Sequence, residues 1–178
     1  TYKDGKSHLN AYLDDYAFLL DATIEYLQTH WKSNYLQFAV ELAEVLLTQF
    51  EDTKHGGFYF TANDHESLIQ RPKVTSDEAT PSGNGIAACA LLKLGYLLTE
   101  PKYLKAVERT LEYASKQITS TPMAHASLLR CSEEINKPPT TIIIRGSGDE
   151  LKQWQHICQQ QFNPQTMTFA IPNNAENL

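Results

Sequence analysis

The feature that most constrains the fold is a pair of helical patterns that occurs twice, 68 residues apart. Residues 12–30 carry apolar side chains at spacings of three and four and on much of the remaining helix surface. Residues 33–50 instead show one polar and one apolar face. A helix that is apolar on most sides has to be covered, whereas a two-faced helix keeps one side in water. The sequence therefore predicts an inner helix followed by an outer helix.

The same two patterns recur in the middle of the chain. Residues 86–98 are almost wholly apolar, with Lys93 as their single charge, and Pro101 then opens a two-faced helix. Repeated inner and outer helices are typical of an α/α toroid, and an ordinary helical bundle is the alternative that this pattern leaves open. With one more helix at about 123–135, we expect a mainly α fold that forms an incomplete toroid. Each inner helix would then lack a neighbour on one side.

Two segments favour strands. Residues 57–71 contain an aromatic run at 58–61 and the turn residues Asn63 and Asp64, and this pattern predicts a β-hairpin that ends before Pro72.

Beyond two consecutive prolines, a β-branched run at 140–144, a helix at 149–162 and a strand at 166–171 predict a small βαβ-like lobe. We therefore divide the chain into a toroid segment, 1–137, and a C-terminal α/β lobe, 138–178.

Composition excludes several classes of protein. The chain has 178 residues and a net charge of −6 without basic clusters, which argues against nucleic acid or an anionic membrane as a partner. No apolar run reaches the roughly 20 residues needed to cross a bilayer. Three widely spaced cysteines predict neither a disulfide framework nor a zinc site. We expect a cytoplasmic protein without a metal or other cofactor, and, since the sequence does not begin with Met, a piece of a longer chain.

Two stretches hold more polar residues than helix caps require. The first is residues 14–16 at the start of the first inner helix, and the second is residues 71–85 before the other inner helix, where Ser82 or Asn84 is the expected cap. The 68-residue shift aligns 14–16 with 82–84. Equivalent helix starts lie at the same end of a toroid, so both stretches are expected to line one mouth, with the aromatic run as its wall.

This mouth is the predicted functional site, and the alternative that the residues leave open is that these side chains only cap helices or lie at the surface. Its carboxylates are expected to act as acid and base, and its cations and amide to orient hydroxyl or anionic groups of a ligand. The predicted catalytic residues are Asp14, Asp15 and Asp77. The predicted ligand-binding residues are Tyr16, Phe58, Tyr59, Arg71, Lys73, Ser82 and Asn84. His8 and His55 are possible bases.

Several motifs together resemble one known family. They are LDDYAF at 13–18, GGFYFT at 56–61, RPK at 71–73 leading through Asp77 to PSGN at 81–84, and the segments III at 142–144 and FNP at 162–164. The chain resembles the C-terminal half of spermatogenesis-associated, YyaL-like proteins. It has Glu78 where that family is expected to have a small residue and Gly85 where serine is expected.

The resemblance implies a fold and a field of activity. Members of the family combine a thioredoxin-like domain with an α/α-barrel that is similar to N-acylglucosamine 2-epimerases and six-hairpin glycosidases. It implies a carbohydrate-related enzyme domain, either epimerase- or isomerase-like or glycosidase-like, with acid–base chemistry at the barrel mouth. The alternative is a non-catalytic ligand-binding or scaffold module that partners a thioredoxin-like domain. A carboxylate with a strongly shifted pKa in the mouth would favour the enzyme.

The implied partners follow from the same resemblance. They are a small-molecule ligand such as a sugar, the N-terminal half of the barrel, the thioredoxin-like domain, and a second copy of the chain.

Overall fold

The computed structural model describes residues 2–7, 10–65, 69–160 and 163–175. These residues form a mainly α protein with a small parallel sheet. The helices are α1 (Leu13–Thr29), α2 (Ser33–Val45), α3 (Gly83–Leu98), α4 (Pro101–Ser120), α5 (Ala126–Asn136) and α6 (Gly148–Gln159). The strands are β1 (Tyr2–Lys3), β2 (Lys6–Ser7), β3 (Thr140–Gly146) and β4 (Thr166–Pro172). A π-helical turn over Leu46–Phe50 continues α2, and a 3-10 turn over Pro122–Ala124 precedes α5. None of the helices in the described ranges has both the length and the apolarity to cross a membrane.

Helix α3 is the centre of the core. It packs against α1, α4 and α5, and nearly all of its side chains are buried. Gly95 allows the close approach of α4, because a Cβ at this position would lie 2.8 Å from Cδ2 of Leu104. The single charge of α3 is paired, since Nζ of Lys93 lies 2.8 Å from Oδ1 of Asp21 and 2.7 Å from Oε1 of Glu25 on α1. The expectation that this inner helix lacks a neighbour is therefore wrong, because α5 closes the side that the repeat left open.

Helix α1 differs from α3 in this respect. One of its sides packs on α3 and α2, while another exposes large apolar side chains. Phe18, Leu19 and Tyr26 are 38%, 46% and 45% exposed. The predicted open side is thus present on α1.

The β-hairpin predicted at 57–71 is wrong for the part of it that the structure describes, 57–65 and 69–71. These residues form no paired strands, and an isolated bridge joins Phe58 to Glu51. The reason is that successive backbone groups bond to different parts of the chain. The amide of Tyr59 donates to the carbonyl of Phe50 (2.9 Å), whereas that of Phe60 donates to the carbonyl of Pro72 (2.8 Å).

The aromatic side chains of this segment also point to different partners. Phe58 is fully buried in the core, and Phe60 stacks on Tyr12 with ring centres 4.8 Å apart. The carbonyl of Phe60 accepts the amide of Leu13 (3.0 Å), the first residue of α1. The segment is therefore an irregular loop that fixes the start of α1. Ser67, which belongs to the predicted second strand, lies outside the described residues.

The predicted βαβ-like lobe is confirmed. Strands β3 and β4 are parallel, with α6 between them in sequence and with Thr140 opposite Thr166 at one end of the register. Met167, Phe169 and Ile171 of β4 join the same apolar core as α1 and α3. The lobe thus packs on the helices through β4. The division of the chain into two domains at 137/138 stays a prediction.

Candidate functional site

A pocket of about 230 Å³ lies where the start of α1 meets the start of α3, and we call it the Asp14 pocket. Its inner wall is buried and its rim is exposed to solvent. It joins parts of the two polar stretches that the helix repeat places at one end of the molecule. The lining residues are Leu13, Asp14, Phe60, Val74, Ser76, Glu78, Thr80, Pro81, Ser82 and Gly83.

The Asp14 carboxylate lies directly against the backbone of α3. A Cβ at Gly83 would lie 2.1 Å from Oδ1 of Asp14, so this approach requires glycine at the first position of α3. Within the described part of the chain, the Asp14 carboxylate accepts no hydrogen bond. Burial, together with the nearby charge of Asp15, raises its pKa above the ordinary value. A carboxyl group that keeps its proton to a higher pH is suited to act as a general acid.

The two residues after Asp14 have structural positions. Asp15 is exposed, and its Oδ2 accepts the backbone amide of Tyr12 (2.8 Å), so it caps α1. The half-buried ring of Tyr16 packs 5.4 Å from that of Phe50. Neither lines the Asp14 pocket.

A second group of polar residues surrounds a buried carboxylate, and we call Asp52, His55, Tyr59, Arg71 and Lys73 the Asp52 cluster. Asp52 Oδ2 accepts hydrogen bonds from Nζ of Lys73 (2.9 Å) and from the hydroxyl of Tyr59 (2.8 Å). Its Oδ1 accepts the backbone amide of His55 (3.0 Å). Burial alone would raise the pKa of Asp52, but these hydrogen bonds outweigh burial and hold the pKa far below its usual range.

Both cations of this cluster are engaged within the protein. Nζ of Lys73 also donates to the carbonyl of Gly56 (2.9 Å) and lies 3.9 Å from the centre of the Tyr113 ring. Arg71 lies 4.2 Å from the centre of the Tyr59 ring and donates to the side chain of Asn63 (2.7 Å). The Arg71 guanidinium further bonds the carbonyls of Thr61 and Gln49. Neither cation lines the Asp14 pocket.

Asp77 joins the starts of two helices. Its Oδ1 accepts the amide of Ser82 (2.8 Å) and the hydroxyl of Ser127, and its Oδ2 accepts the amide of Ser127 (2.8 Å). Burial opposes ionisation here too, but the hydrogen bonds from Ser127 and Ser82 outweigh it and lower the pKa of Asp77. Gly85 makes room for this arrangement, since a Cβ there would lie 1.9 Å from Oγ of Ser127.

The two expected caps of α3 have different roles. Oγ of Ser82 accepts the amide of Gly85 (3.1 Å), so Ser82 is the N-cap. Asn84 is fully buried, and its side chain bonds both backbone groups of Phe58, at 2.7 and 2.9 Å, and the carbonyl of Val74 (2.9 Å). Asn84 therefore ties the irregular loop to α3.

Of the predicted site residues, the pocket thus holds Asp14 and Ser82, and the others contact protein groups instead. Their predicted roles toward a ligand stay predictions. His8 lies outside the described residues, and His55 is exposed with Nδ1 3.2 Å from Oδ2 of Asp52. Within the described ranges, no three His, Cys, Asp or Glu side chains converge in a way that could hold a metal ion.

Of the ten residues that line the pocket, the predicted site residues included only Asp14 and Ser82; sequence reasoning missed the others, among them Phe60 and Glu78, and it also missed the centre of the cluster. Phe60 belongs to the aromatic run that was expected to form a wall, and Glu78 belongs to the second polar stretch, so both carried a signal. Asp52 carried none, because its partner Lys73 is 21 residues away and the contact depends on how the loop folds.

Comparison with known proteins gives a family-level likeness. The chain is 27% identical over 137 residues to spermatogenesis-associated protein 20 of Rattus norvegicus and 25% identical over 136 residues to that of Homo sapiens, in each case over 76% of the chain. It is 26% identical over 144 residues, 81% of the chain, to the uncharacterized protein B0495.5 of Caenorhabditis elegans. No family model matches. The chain spans 17 to 20% of the length of these relatives. These likenesses support the resemblance to the spermatogenesis-associated family.

Proposed function

We propose that this chain carries part of a carbohydrate-handling enzyme site in which Asp14 transfers a proton. The observation that supports the proposal most is the state of this carboxylate. It borders a cavity, accepts no hydrogen bond from described residues, and has a raised pKa. Perturbed carboxylates in clefts are candidates for acid–base catalysis, whereas structural carboxylates are usually paired.

The walls of the pocket suit a small hydroxylated ring. The ring of Phe60 and the apolar side chains of Val74 and Pro81 offer surfaces on which the face of a sugar can rest. Ser76 and Thr80 line the same pocket, and their side chains supply hydroxyl groups of the kind that bond ligand hydroxyls. A volume of about 230 Å³ is below the roughly 300–1,000 Å³ that is common for ligand sites, and it fits a ligand of about one ring.

The reaction class is proton transfer to or from a sugar carbon or a glycosidic oxygen. In either case Asp14 acts as the acid in its protonated form and as the base after it loses the proton. We keep the epimerase-like and the glycosidase-like reactions together, because the Asp14 carboxyl group would transfer the proton in both. The resemblance to barrels related to six-hairpin glycosidases supports the choice of sugars and is an argument by analogy of fold.

The finer architecture belongs to the same proposal. We infer that the pairs α1–α2 and α3–α4 are part of an α/α toroid. The exposed apolar side chains of α1 would then be covered by another helix of the same longer polypeptide. The lengths of the relatives support this inference, since aligned stretches of 144 and 137 residues are only 20% and 17% of their lengths, which makes them about four times as long as the chain.

The experiment has two steps. A panel of neutral, acidic and amino sugars is first screened by thermal shift against the whole protein, and the ligands found are then tested for turnover. Replacing Asp14 by Asn should reduce kcat by about 10²–10⁴-fold and leave the fold intact, because general acid–base catalysis contributes about that much. Asp149→Asn is the control, since Asp149 is an exposed carboxylate of α6 outside the pocket, and we expect little loss.

A second variant separates the presence of the carboxylate from its position. Gly83→Ala keeps Asp14 but places a methyl group 2.1 Å from the present position of Oδ1, so the carboxylate has to move. We expect Gly83→Ala to lower turnover as well. Unchanged turnover in both Asp14→Asn and Gly83→Ala would contradict a catalytic role for this pocket.

A binding or scaffold module is the second candidate. The observation that favours it is that several predicted site residues form hydrogen bonds within the protein. These residues are Arg71, Lys73, Asp77 and Asn84. Binding of a sugar without any turnover, and with equal affinity in Asp14→Asn, would favour this candidate over the enzyme.

A further inference from the structure

The charges around the Asp14 pocket differ from those expected from the sequence. The sequence predicted that Arg71 and Lys73 would attract hydroxyl or anionic groups of a ligand. Instead, Lys73 bonds Asp52 and the carbonyl of Gly56, and Arg71 bonds Asn63, Thr61 and the carbonyl of Gln49. Neither cation is among the residues that line the pocket.

The charged residues that do line the pocket are both acidic. Asp14 lies against the start of α3, and Glu78 lies at the exposed rim. Within the described chain, the side chain of Glu78 forms no hydrogen bond or ion pair, so no partner there offsets its charge. Asp15, next to Asp14, adds to the negative potential, and its charge contributes to the raised pKa of Asp14.

We propose that the Asp14 pocket selects its ligand by charge, taking amine-bearing and uncharged sugars and rejecting sugar phosphates and sugar acids. This inference rests on the proposed function, since it concerns the ligand of the same site. The carboxylate at the rim attracts a ligand ammonium group and repels a phosphate or carboxylate. No cationic side chain lines this pocket to pair with a ligand anion, and unpaired charges are costly to bury.

The expected difference in affinity depends on how far the charged groups are exposed to solvent. A charge pair at a solvent-exposed rim contributes a factor of about 2 to 5 in affinity, and one that is partly removed from water contributes more. We therefore expect an amine-bearing sugar to bind about 3-fold more tightly than its uncharged counterpart. An acidic sugar should bind about 10-fold more weakly than the uncharged one. Because the interaction is partly screened, the ratios should shrink at high ionic strength.

The test uses three hexoses that share one ring and differ in charge. Glucosamine carries a protonated amine in place of one hydroxyl, glucose is uncharged, and glucuronate carries a carboxylate in place of one hydroxymethyl group. Dissociation constants are measured by calorimetry at low salt, at a pH where the amine is protonated, for the whole protein, for Glu78→Gln and for Glu133→Gln. Glu133 is an exposed glutamate of α5 outside the pocket, so Glu133→Gln is the matched control.

The outcomes separate this inference from the function on which it rests. The inference is supported if affinity decreases in the order glucosamine, glucose, glucuronate. The affinity ratios between these sugars should then fall at least twofold in Glu78→Gln and persist in Glu133→Gln. Tightest binding of glucuronate, or equal binding of the three, overturns the inference and leaves the proposed sugar site intact. Failure of all three to bind overturns the proposed function and the inference with it.

Discussion

The Asp52 cluster and the Asp14 pocket each contain an aspartate, and the pKa values of these two carboxyl groups are shifted in opposite directions. Asp52 is buried, accepts hydrogen bonds from Lys73 and Tyr59, and has a pKa far below its usual range. Asp14 is half-buried, accepts no hydrogen bond from described residues, and has a raised pKa. A carboxylate whose partners are all protein groups stabilises the fold, whereas one that faces a cavity without partners is available to a ligand. Asp14 lies in the LDDYAF motif and Asp52 lies shortly before the GGFYFT motif, so the presence of a motif does not distinguish these two roles.

Asp77 belongs with the Asp52 cluster in this comparison. The sequence suggested it as a second catalytic carboxylate, yet its two oxygens bond groups at the starts of α3 and α5. Glu78, the next residue, lines the pocket instead. A difference of one position in an irregular loop thus separates a capping carboxylate from one that lines the pocket.

The largest expected effect concerns the cation of the Asp52 cluster. Replacing Lys73 by Met should lower the free energy of unfolding by about 3–5 kcal/mol, because it leaves the buried carboxylate of Asp52 without its ion pair. Lys54→Met is the control, since Lys54 is exposed and should change stability by no more than about 0.5 kcal/mol. Denaturant unfolding of both variants measures the difference. Equal small effects of the two variants would contradict a structural role for the Asp52 cluster.

A smaller effect is expected at Asp77, and it depends on pH. The pKa of Asp77 is lower in the folded protein than in the unfolded chain, so the unfolded chain binds more protons in acid. The stabilisation from ionised Asp77 is therefore complete above the ordinary aspartate pKa of about 3.9 and is lost as the pH falls through the folded pKa. Asp77→Asn should therefore cost about 1–2 kcal/mol at neutral pH, in line with the loss of a helix cap.

The cost of Asp77→Asn should shrink as the pH is lowered toward the pKa of the folded state. Thermal unfolding of Asp77→Asn and of the parent protein between neutral and acid pH measures it. A cost that stays constant with pH would show that the ionised state of Asp77 is not what stabilises the two helix starts.

The smallest effect is expected at Asp14, and its sign is opposite. Because the pKa of Asp14 is raised, the folded protein keeps this proton to a higher pH than the unfolded chain does. Stability therefore falls as the pH rises from the ordinary aspartate pKa of about 3.9 through the folded pKa. Asp14→Asn should then raise the free energy of unfolding at neutral pH by less than about 1 kcal/mol, since solvent screens a half-exposed charge. The same thermal series as for Asp77→Asn measures this gain. If Asp14→Asn destabilises the protein as Asp77→Asn does, the contrast between the unpaired Asp14 and the hydrogen-bonded Asp77 fails.

The site could be predicted only in part. Asp14 and Ser82 were found because a helix repeat placed two helix starts at one end, and those starts do meet at Gly83. The roles of Arg71, Lys73 and Asn84 could not be foreseen, because each is set by bonds to residues between 8 and 26 positions away in sequence.

The sequence by itself determined the helices, the order of inner and outer faces, and the parallel βαβ-like unit. These follow from local periodicity and from the preference of β-branched residues for strands, which act over a few residues. The tertiary structure decided that residues 57–65 form a loop rather than a strand, because the amides of Tyr59 and Phe60 bond to Phe50 and Pro72 instead of to one partner strand. It also decided which polar side chains are left for a ligand. Whether a carboxylate is paired depends on groups that only the folded chain brings within hydrogen-bond distance, and this is why Asp52 is held ionised while Asp14 faces the pocket.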